Sequence, residues 1–470
     1  MQRRQLLKGA AASLAMFHIV PRHVLGGPNH VAPSEKINLA IVGAGGRGRQ
    51  VLREMMGEAD VRVVAVADPA KSFSLENFYY KDVGGREPTR DLVEKHYQPQ
   101  DSSFKCATFE NFEQMLDEQK DLDAILCGTP DHLHAYVSAK SLRAGKHVYC
   151  EKPLTHNIWE ARTIAAIAKR TGLATQMGNQ GHSADGMRET CEWIWSGAIG
   201  NVREVHAWVS GARWNPGLTS QPTTPGEQSD AAPPEGLNWD LWQGPREPRP
   251  FDAAYFPVAW RDFWDFGNSN IGDFACHDLD AACWALDLKH PTLVDFSGAG
   301  VGPGIGPHGC LGHYHFPAND KRPAVQVTWY DGGLKPDIPE GWPADQALPG
   351  RGVLFIGDAG VLFCGGAGGA PKLVPETRMA DFKKPAPSLT RVASHHRNWL
   401  DACKGGPTAG SHFEYGAQLT ELALLGSLSL RTGQPIRWDG PAMKATGLPA
   451  ADAIIKEGYR SGWEIEGETI

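Results

Sequence analysis

Residues 37–55 constrain this chain more than any other stretch. Ile37-Asn38-Leu39-Ala40-Ile41-Val42 has the length and apolarity of a buried strand, and Gly43-Ala44-Gly45-Gly46-Arg47-Gly48 follows at once. An amphipathic segment to about Met55 then reads as a helix. A strand that stops in glycines and restarts as a helix presents free backbone N–H groups at the helix N-terminus, where an anion is favoured. A second apolar strand, Val61 to Ala67, ends in Asp68. An acid about 20 residues past the last glycine is placed to accept hydrogen bonds from an adenosine ribose. The two parts together predict a dinucleotide-binding fold, with Gly43, Gly45, Arg47, Gly48 and Asp68 at the cofactor. A carboxylate there repels a 2′-phosphate and favours NAD. Lys71 lies close by and keeps NADP as the alternative.

Two further strand–helix units follow. Asp123 to Cys127 reads as a strand ending at Gly128-Thr129-Pro130-Asp131, with His134 on the next helix. Lys146 to Cys150 reads as another strand, which delivers Glu151-Lys152-Pro153 at its carboxyl end. Ligands of open α/β sheets bind beyond those ends. Thr129, Pro130, Glu151 and Lys152 are therefore expected to converge on one end of the cofactor.

The length of 470 residues allows two or three domains. A formal charge of −8 and the lack of a basic stretch argue against nucleic acid as a partner. The nine cysteines are scattered, odd in number and without a Cys-x-x-Cys, so neither a disulfide framework nor a metal site is expected. His313 and His315, two apart on one strand face, have no third ligand nearby in sequence.

Arg3-Arg4-Gln5-Leu6-Leu7-Lys8, followed by an apolar stretch from Gly9 to Val20, resembles a twin-arginine signal. It predicts export to the periplasm of a protein folded around its cofactor. The apolar run is too short for a stable membrane anchor. Residues 1–33 are assigned to this segment and a linker, 34–155 to a Rossmann domain, and 156–470 to a second α/β domain.

In the second domain, helices are expected over residues 158–170, 395–403 and 417–431, and alternating strands over 201–208, 293–297, 313–316, 324–330 and 353–356. Gly178-Asn179-Gln180-Gly181-His182 is a polar turn whose side chains could meet sugar hydroxyls or a nicotinamide amide. Residues 211–270 read as a long irregular stretch with Trp214, Trp239, Trp242, Trp260, Trp264, Tyr255 and Arg261. Aromatic faces suit sugar rings, although most of these tryptophans are expected to fill space under the loop.

Asp273-Phe274-Ala275-Cys276-His277-Asp278-Leu279-Asp280 carries the candidate chemistry. A carboxylate four residues before a histidine shares its helix face and can orient the imidazole to take a proton. A buried histidine capped by an aspartate is the structural alternative.

The glycine turn, Thr129-Pro130, His134, Gly145-Lys146-His147-Val148, Glu151-Lys152-Pro153 and Asp273…His277…Asp280 together resemble the Gfo/Idh/MocA oxidoreductases, over about residues 36–300. The resemblance implies an N-terminal Rossmann NAD-binding domain and a C-terminal α/β domain with a large, mostly antiparallel open sheet. It adds His134 to the cofactor residues. It implies hydride transfer between a secondary hydroxyl of a sugar, glycoside or cyclitol and the nicotinamide. His277 would be the base, Asp273 would orient it, and Lys152 would stabilise charge on the reacting oxygen. Asp280 would orient the substrate or cap the helix. The resemblance further implies a homo-oligomer, dimer or tetramer, built through the sheet. The alternatives are a redox-assisted glycoside hydrolase with retained NAD and a non-catalytic NAD-binding sensor. The polar turn at 178–182 departs from the Arg-Phe pair of many relatives, so the resemblance does not carry a substrate preference.

Overall fold

In a computed structural model, residues 31–214 and 230–466 are described. The twin-arginine segment lies outside them. The first sheet holds β1 (Ile37–Val42), β2 (Val61–Ala67), β3 (Ala107–Phe109), β4 (Ala124–Cys127), β5 (His147–Cys150) and β6 (Thr175–Met177). Their order is β3-β2-β1-β4-β5-β6, and every pairing is parallel. Such a sheet is covered on both faces, which is why β1, β4 and β5 are almost wholly apolar. The crossover helices include α1 (Gly46–Met56), α2 (Asp131–Arg143) and α3 (Ile158–Thr171). Asn157 and Glu160 start α3 with a reciprocal capping box, and Gly172 ends it in a left-handed turn.

The predicted domain boundary at 155 falls one strand short. β6 pairs with β5 in parallel, so the first sheet runs on through Met177. The C-terminal part of the chain also returns to it: α4 (His395–Cys403) buries Trp399 and Leu400 in the core under β1 and β2.

The second sheet is the expected large one. Among the described residues it has nine strands, and only β7 (Val202–Val209) against β10 (Val325–Tyr330) is parallel. β8 (Leu293–Ala299), β9 (Gly309–Phe316), β11 (Arg351–Gly357), β12 (Gly360–Gly365) and β13 (Pro371–Val374) pair antiparallel, and two short strands after residue 435 close the far edge. β9 alternates buried and half-buried residues along its whole length, as a sheet with one face on a core requires. α5 (Phe413–Thr432), buried through most of its length, packs on β8 and on α3, joining the two layers.

The irregular stretch contains a separate aromatic cluster of Trp239, Trp242, Phe251, Tyr255, Trp260, Phe263 and Phe266. Trp239, Trp242, Trp260 and Trp264 are all buried. α6 (Ser269–Asp278) follows and carries Asp273 and His277, and α7 (Asp280–Leu286) continues after Leu279. Among the described residues no helix is long and apolar enough to cross a membrane.

Candidate active site

A cavity of about 440 Å³ opens at the carboxyl ends of β1, β2, β4 and β5. Gly43, Gly45, Arg47, Asp68, Thr129, Pro130, His134, Glu151, Lys152, Asp273 and His277 all line it. A sequence span of more than two hundred residues is thus brought to one place by the parallel sheet and by α6.

The floor at the α1 end is built for close approach. Gly43 has φ +85°, and a Cβ on it would lie 2.5 Å from the Thr129 backbone nitrogen. Gly45, the N-cap of α1, has no side-chain cap, and a Cβ there would meet nothing nearer than 3.9 Å. The first amides of α1 are therefore left to a ligand, and the cradle fits a pyrophosphate. Gly48 does not line the cavity. A Cβ on it would lie 2.5 Å from the Gly43 carbonyl oxygen, so its role is packing of the turn against the helix.

Asp68 is buried and accepts 2.7 Å hydrogen bonds from the backbone N–H of Ala44 and of Ala70. Burial pushes its carboxyl up to about 6, against the pull of those two bonds. Each oxygen keeps a lone pair for a ribose hydroxyl.

His134 is not free to touch a cofactor through its nitrogens. Nδ1 lies 2.7 Å from the Pro153 carbonyl oxygen and Nε2 lies 2.9 Å from that of Thr129. It ties the β4 loop to the Glu-Lys-Pro turn and so positions Thr129 and Lys152. Cys127, His134 and Cys150 bring potential metal-ligand atoms within 4.8 Å of one another, but both ring nitrogens already face these carbonyls. No metal role is read into the group.

Glu151 is buried beside Arg47, with 3.5 Å between Nε and Oε1. Gln180 Nε2 donates to the same carboxylate at 3.0 Å and to the Tyr149 hydroxyl at 2.7 Å. Glu151 Oε2 is buried without a partner among the described residues, an acceptor that the amide or ribose hydroxyls of a nicotinamide nucleoside would satisfy. Gly178 is required here: a Cβ on it would lie 2.5 Å from Glu151 Oε1.

The expected Asp273–His277 dyad is not formed. The carboxylate of Asp273 is paired with the ammonium of Lys152, which also donates to the Asp273 carbonyl at 2.7 Å. Trp214 Nε1 donates to Oδ2 at 3.3 Å, and Arg261 Nε lies 3.8 Å from Oδ1. Burial would raise this carboxyl, but the Lys152 and Arg261 cations outweigh it and hold it far below the ordinary range. Spacing within one helix could not reveal a partner arriving from the end of β5. Lys152 retains one of its three donors.

The His277 imidazole lines the cavity, and its Nδ1 is buried without a hydrogen-bond partner among the described residues. Burial first, then the Lys152 and Arg351 cations, push its pKa well below the ordinary histidine value, against the pull of Asp273. The ring is therefore neutral at neutral pH and able to accept a proton.

Asp280 neither caps a helix nor reaches the cavity. It is fully buried and accepts from His182 Nδ1 at 3.0 Å, from Asn179 Nδ2 at 2.9 Å and from the Tyr415 hydroxyl. Asn179 and His182 are thus braces, and of the polar turn only Gln180 enters the cavity. Tyr79, Tyr80, Phe73, Phe274 and Arg351 also line it, and sequence reasoning did not single them out. From the irregular stretch, Trp214, Trp242, Trp260 and Arg261 reach it, with the Arg261 guanidinium 4.2 Å from the centre of the Trp260 ring.

Residues 37–179 match the model of the Gfo/Idh/MocA oxidoreductase family, NAD-binding Rossmann fold. Over those residues the first domain is similar to the NAD-binding Rossmann domain of that family. Over 105 residues the chain is 33% identical to a dTDP-3,4-didehydro-2,6-dideoxy-alpha-D-glucose 3-reductase of Streptomyces violaceoruber, covering 22% of this chain and 30% of that one. Over 170 residues it is 24% identical to a 2,7-anhydro-N-acetylneuraminate hydratase of Escherichia coli (strain K12), covering 36% and 39%. The chain thus spans less than half the length of these curated relatives. The fold extends further. The WlbA dehydrogenase of Bordetella pertussis, solved with NADH and UDP-GlcNAcA, superposes with a TM-score of 0.57 at 16% identity, covering 86% of this chain and 98% of that one.

Proposed function

We propose that the protein transfers a hydride between a secondary hydroxyl of a sugar, glycoside or cyclitol and NAD. The observation that carries this is the meeting of Lys152, Asp273 and His277 in the cavity that also holds the glycine cradle and Asp68. When bound, the nicotinamide supplies the hydride acceptor. Lys152, fixed by Asp273, would donate its remaining N–H to the reacting oxygen and stabilise the charge that grows there. His277, neutral and lining the cavity, would take the hydroxyl proton. Asp273 in this account positions the lysine. Trp214, Trp260 and Tyr79 offer apolar faces for a ring, and the names of the sugar-nucleotide reductase and of WlbA's bound ligand support a carbohydrate. Asp68 supports NAD over NADP, by repulsion of a 2′-phosphate.

A second reading has one specific support: a relative named as a hydratase. A retained NAD could serve a net elimination or hydrolysis, with transient oxidation acidifying a neighbouring C–H. We further propose export by the twin-arginine route to the periplasm, on Arg3-Arg4 and the apolar stretch that follows, and a homo-oligomer built through the nine-stranded sheet. Product analysis separates the two chemistries. A keto-sugar with stoichiometric NADH supports the dehydrogenase, and a cleaved glycoside or hydrated product with no net NADH supports the second reading.

A further inference from the structure

Behind the Gln180–Ser183 turn lies a second cavity, of about 740 Å³, which shares no lining residue with the first. Two side chains on its wall are unusual for their burial. Arg188 is 4% exposed. Its Nε donates to the Thr390 carbonyl at 2.7 Å, and its Nη1 to those of His182 at 2.8 Å and Ala184 at 3.4 Å. These are neutral acceptors. Among the described residues no carboxylate forms an ion pair with it, and Nη2 makes no hydrogen bond. Burial, and then the nearby Arg391 cation, push its pKa down, against the pull of the Asp185 and Asp280 carboxylates, neither of which is in ion-pair contact with it. Arg391 itself is neutralised by Glu192, at 2.7 Å.

His182, 2% exposed, gives its Nδ1 to Asp280. That bond needs a proton on Nδ1, and on the neutral ring Nε2 is then an acceptor. Nε2 has no hydrogen-bond partner among the described residues. It faces the space that Gly410 leaves open, where a Cβ would lie 3.2 Å from it. Asn398 stands on the same wall, its Oδ1 taken by the Gly410 N–H at 2.8 Å and its amide N–H₂ still available.

We propose that this cavity is a binding site for a small hydroxylated anion. Arg188 takes the anionic head, Asn398 adds a donor, and the Nε2 of His182 accepts from a hydroxyl. The head is a carboxylate or a phosphate ester; a buried guanidinium pairs with either. The turn that gives His182 to this site gives Gln180 to the first cavity.

The test is isothermal titration calorimetry on the full chain loaded with NADH, which blocks alcohol oxidation, with D-gluconate, glucose 6-phosphate and glucose as probes. At least one of the two anions binds saturably, and glucose binds more weakly; the tighter anion identifies the head group. Arg188→Gln lowers the affinity about tenfold or more, the size of one lost charge-assisted hydrogen bond. Asn398→Asp keeps the acceptor for Gly410 and sets a carboxylate on the wall, so it lowers anion affinity in a folded protein even if Arg188→Gln fails to fold. Neither change alters NADH affinity. The proposal is overturned if neither anion binds up to about 10 mM, or if Asn398→Asp binds them as the parent does.

Discussion

The carboxylate of Asp273 is held by Lys152, 121 residues away in sequence, and not by His277, one helical turn along its own helix. This pairing fixes the lysine at the reacting centre and leaves the imidazole unbraced. It also gives the three groups distinct electrostatic effects on one another.

Two substitutions should therefore move the pH profile in opposite directions. Lys152 lowers the His277 pKa and Asp273 raises it. Asp273→Asn should shift the acid limb of kcat/KM to lower pH, because the imidazolium loses an anion. Lys152→Met should shift it to higher pH, because the imidazolium loses a repelling cation. The check is a pH–rate series on both variants. Shifts of the same sign would show that the limb does not report His277.

Cofactor affinity should depend on pH through Asp68. Its folded pKa is raised, to about 6, so the carboxylate that accepts from a ribose is fully present only above that value. NAD affinity should fall as pH falls through about 6, and fluorescence titration of NADH reads it. Asp68→Ala should weaken NAD binding, relax discrimination against NADP and flatten this dependence. A parent protein that prefers NADP would show that Asp68 does not meet the ribose.

Gly178→Ala should destabilise the fold by about 1–3 kcal/mol, the usual cost of overpacking, since its Cβ would lie 2.5 Å from Glu151 Oε1. Urea unfolding measures this. NADH affinity should fall as well, because Glu151 must move.

Replacing Arg3 and Arg4 with Lys should hold the protein in the cytoplasm, since the export receptor reads the guanidinium pair. Cell fractionation checks it, and unchanged export would remove the twin-arginine reading.

What was legible in the sequence follows from how locally it is encoded. The glycine turn, β1, β2 and Asp68 lie within one short segment, and they read correctly down to the bounds of β2, Val61–Ala67. The helix carrying Asp273 and His277 was legible for the same reason. The partner of Asp273 was not, because Lys152 arrives from another strand end. Tyr79, Tyr80 and Arg351 reach the cavity from separate segments, with no periodic or motif signal to mark them. β12 and β13 were missed because their flanks are rich in glycine and proline, which weakens a strand signal. The sequence pattern assigns His134 to the cofactor, and Asp280 to the substrate or to the helix cap. Their buried hydrogen bonds, to Pro153 and Thr129 and to His182, Asn179 and Tyr415, make them supports instead.

The most direct test of the central claim uses sugars and cyclitols deuterated at each secondary carbinol carbon. The parent protein with NAD should yield a keto product and carry deuterium into the nicotinamide ring, read by mass spectrometry. His277→Ala should bind NAD like the parent and lose roughly two to four orders of magnitude in turnover, the range for a lost general base. Deuterium that never reaches the nicotinamide from any substrate, or a His277→Ala variant that turns over like the parent, would contradict the account.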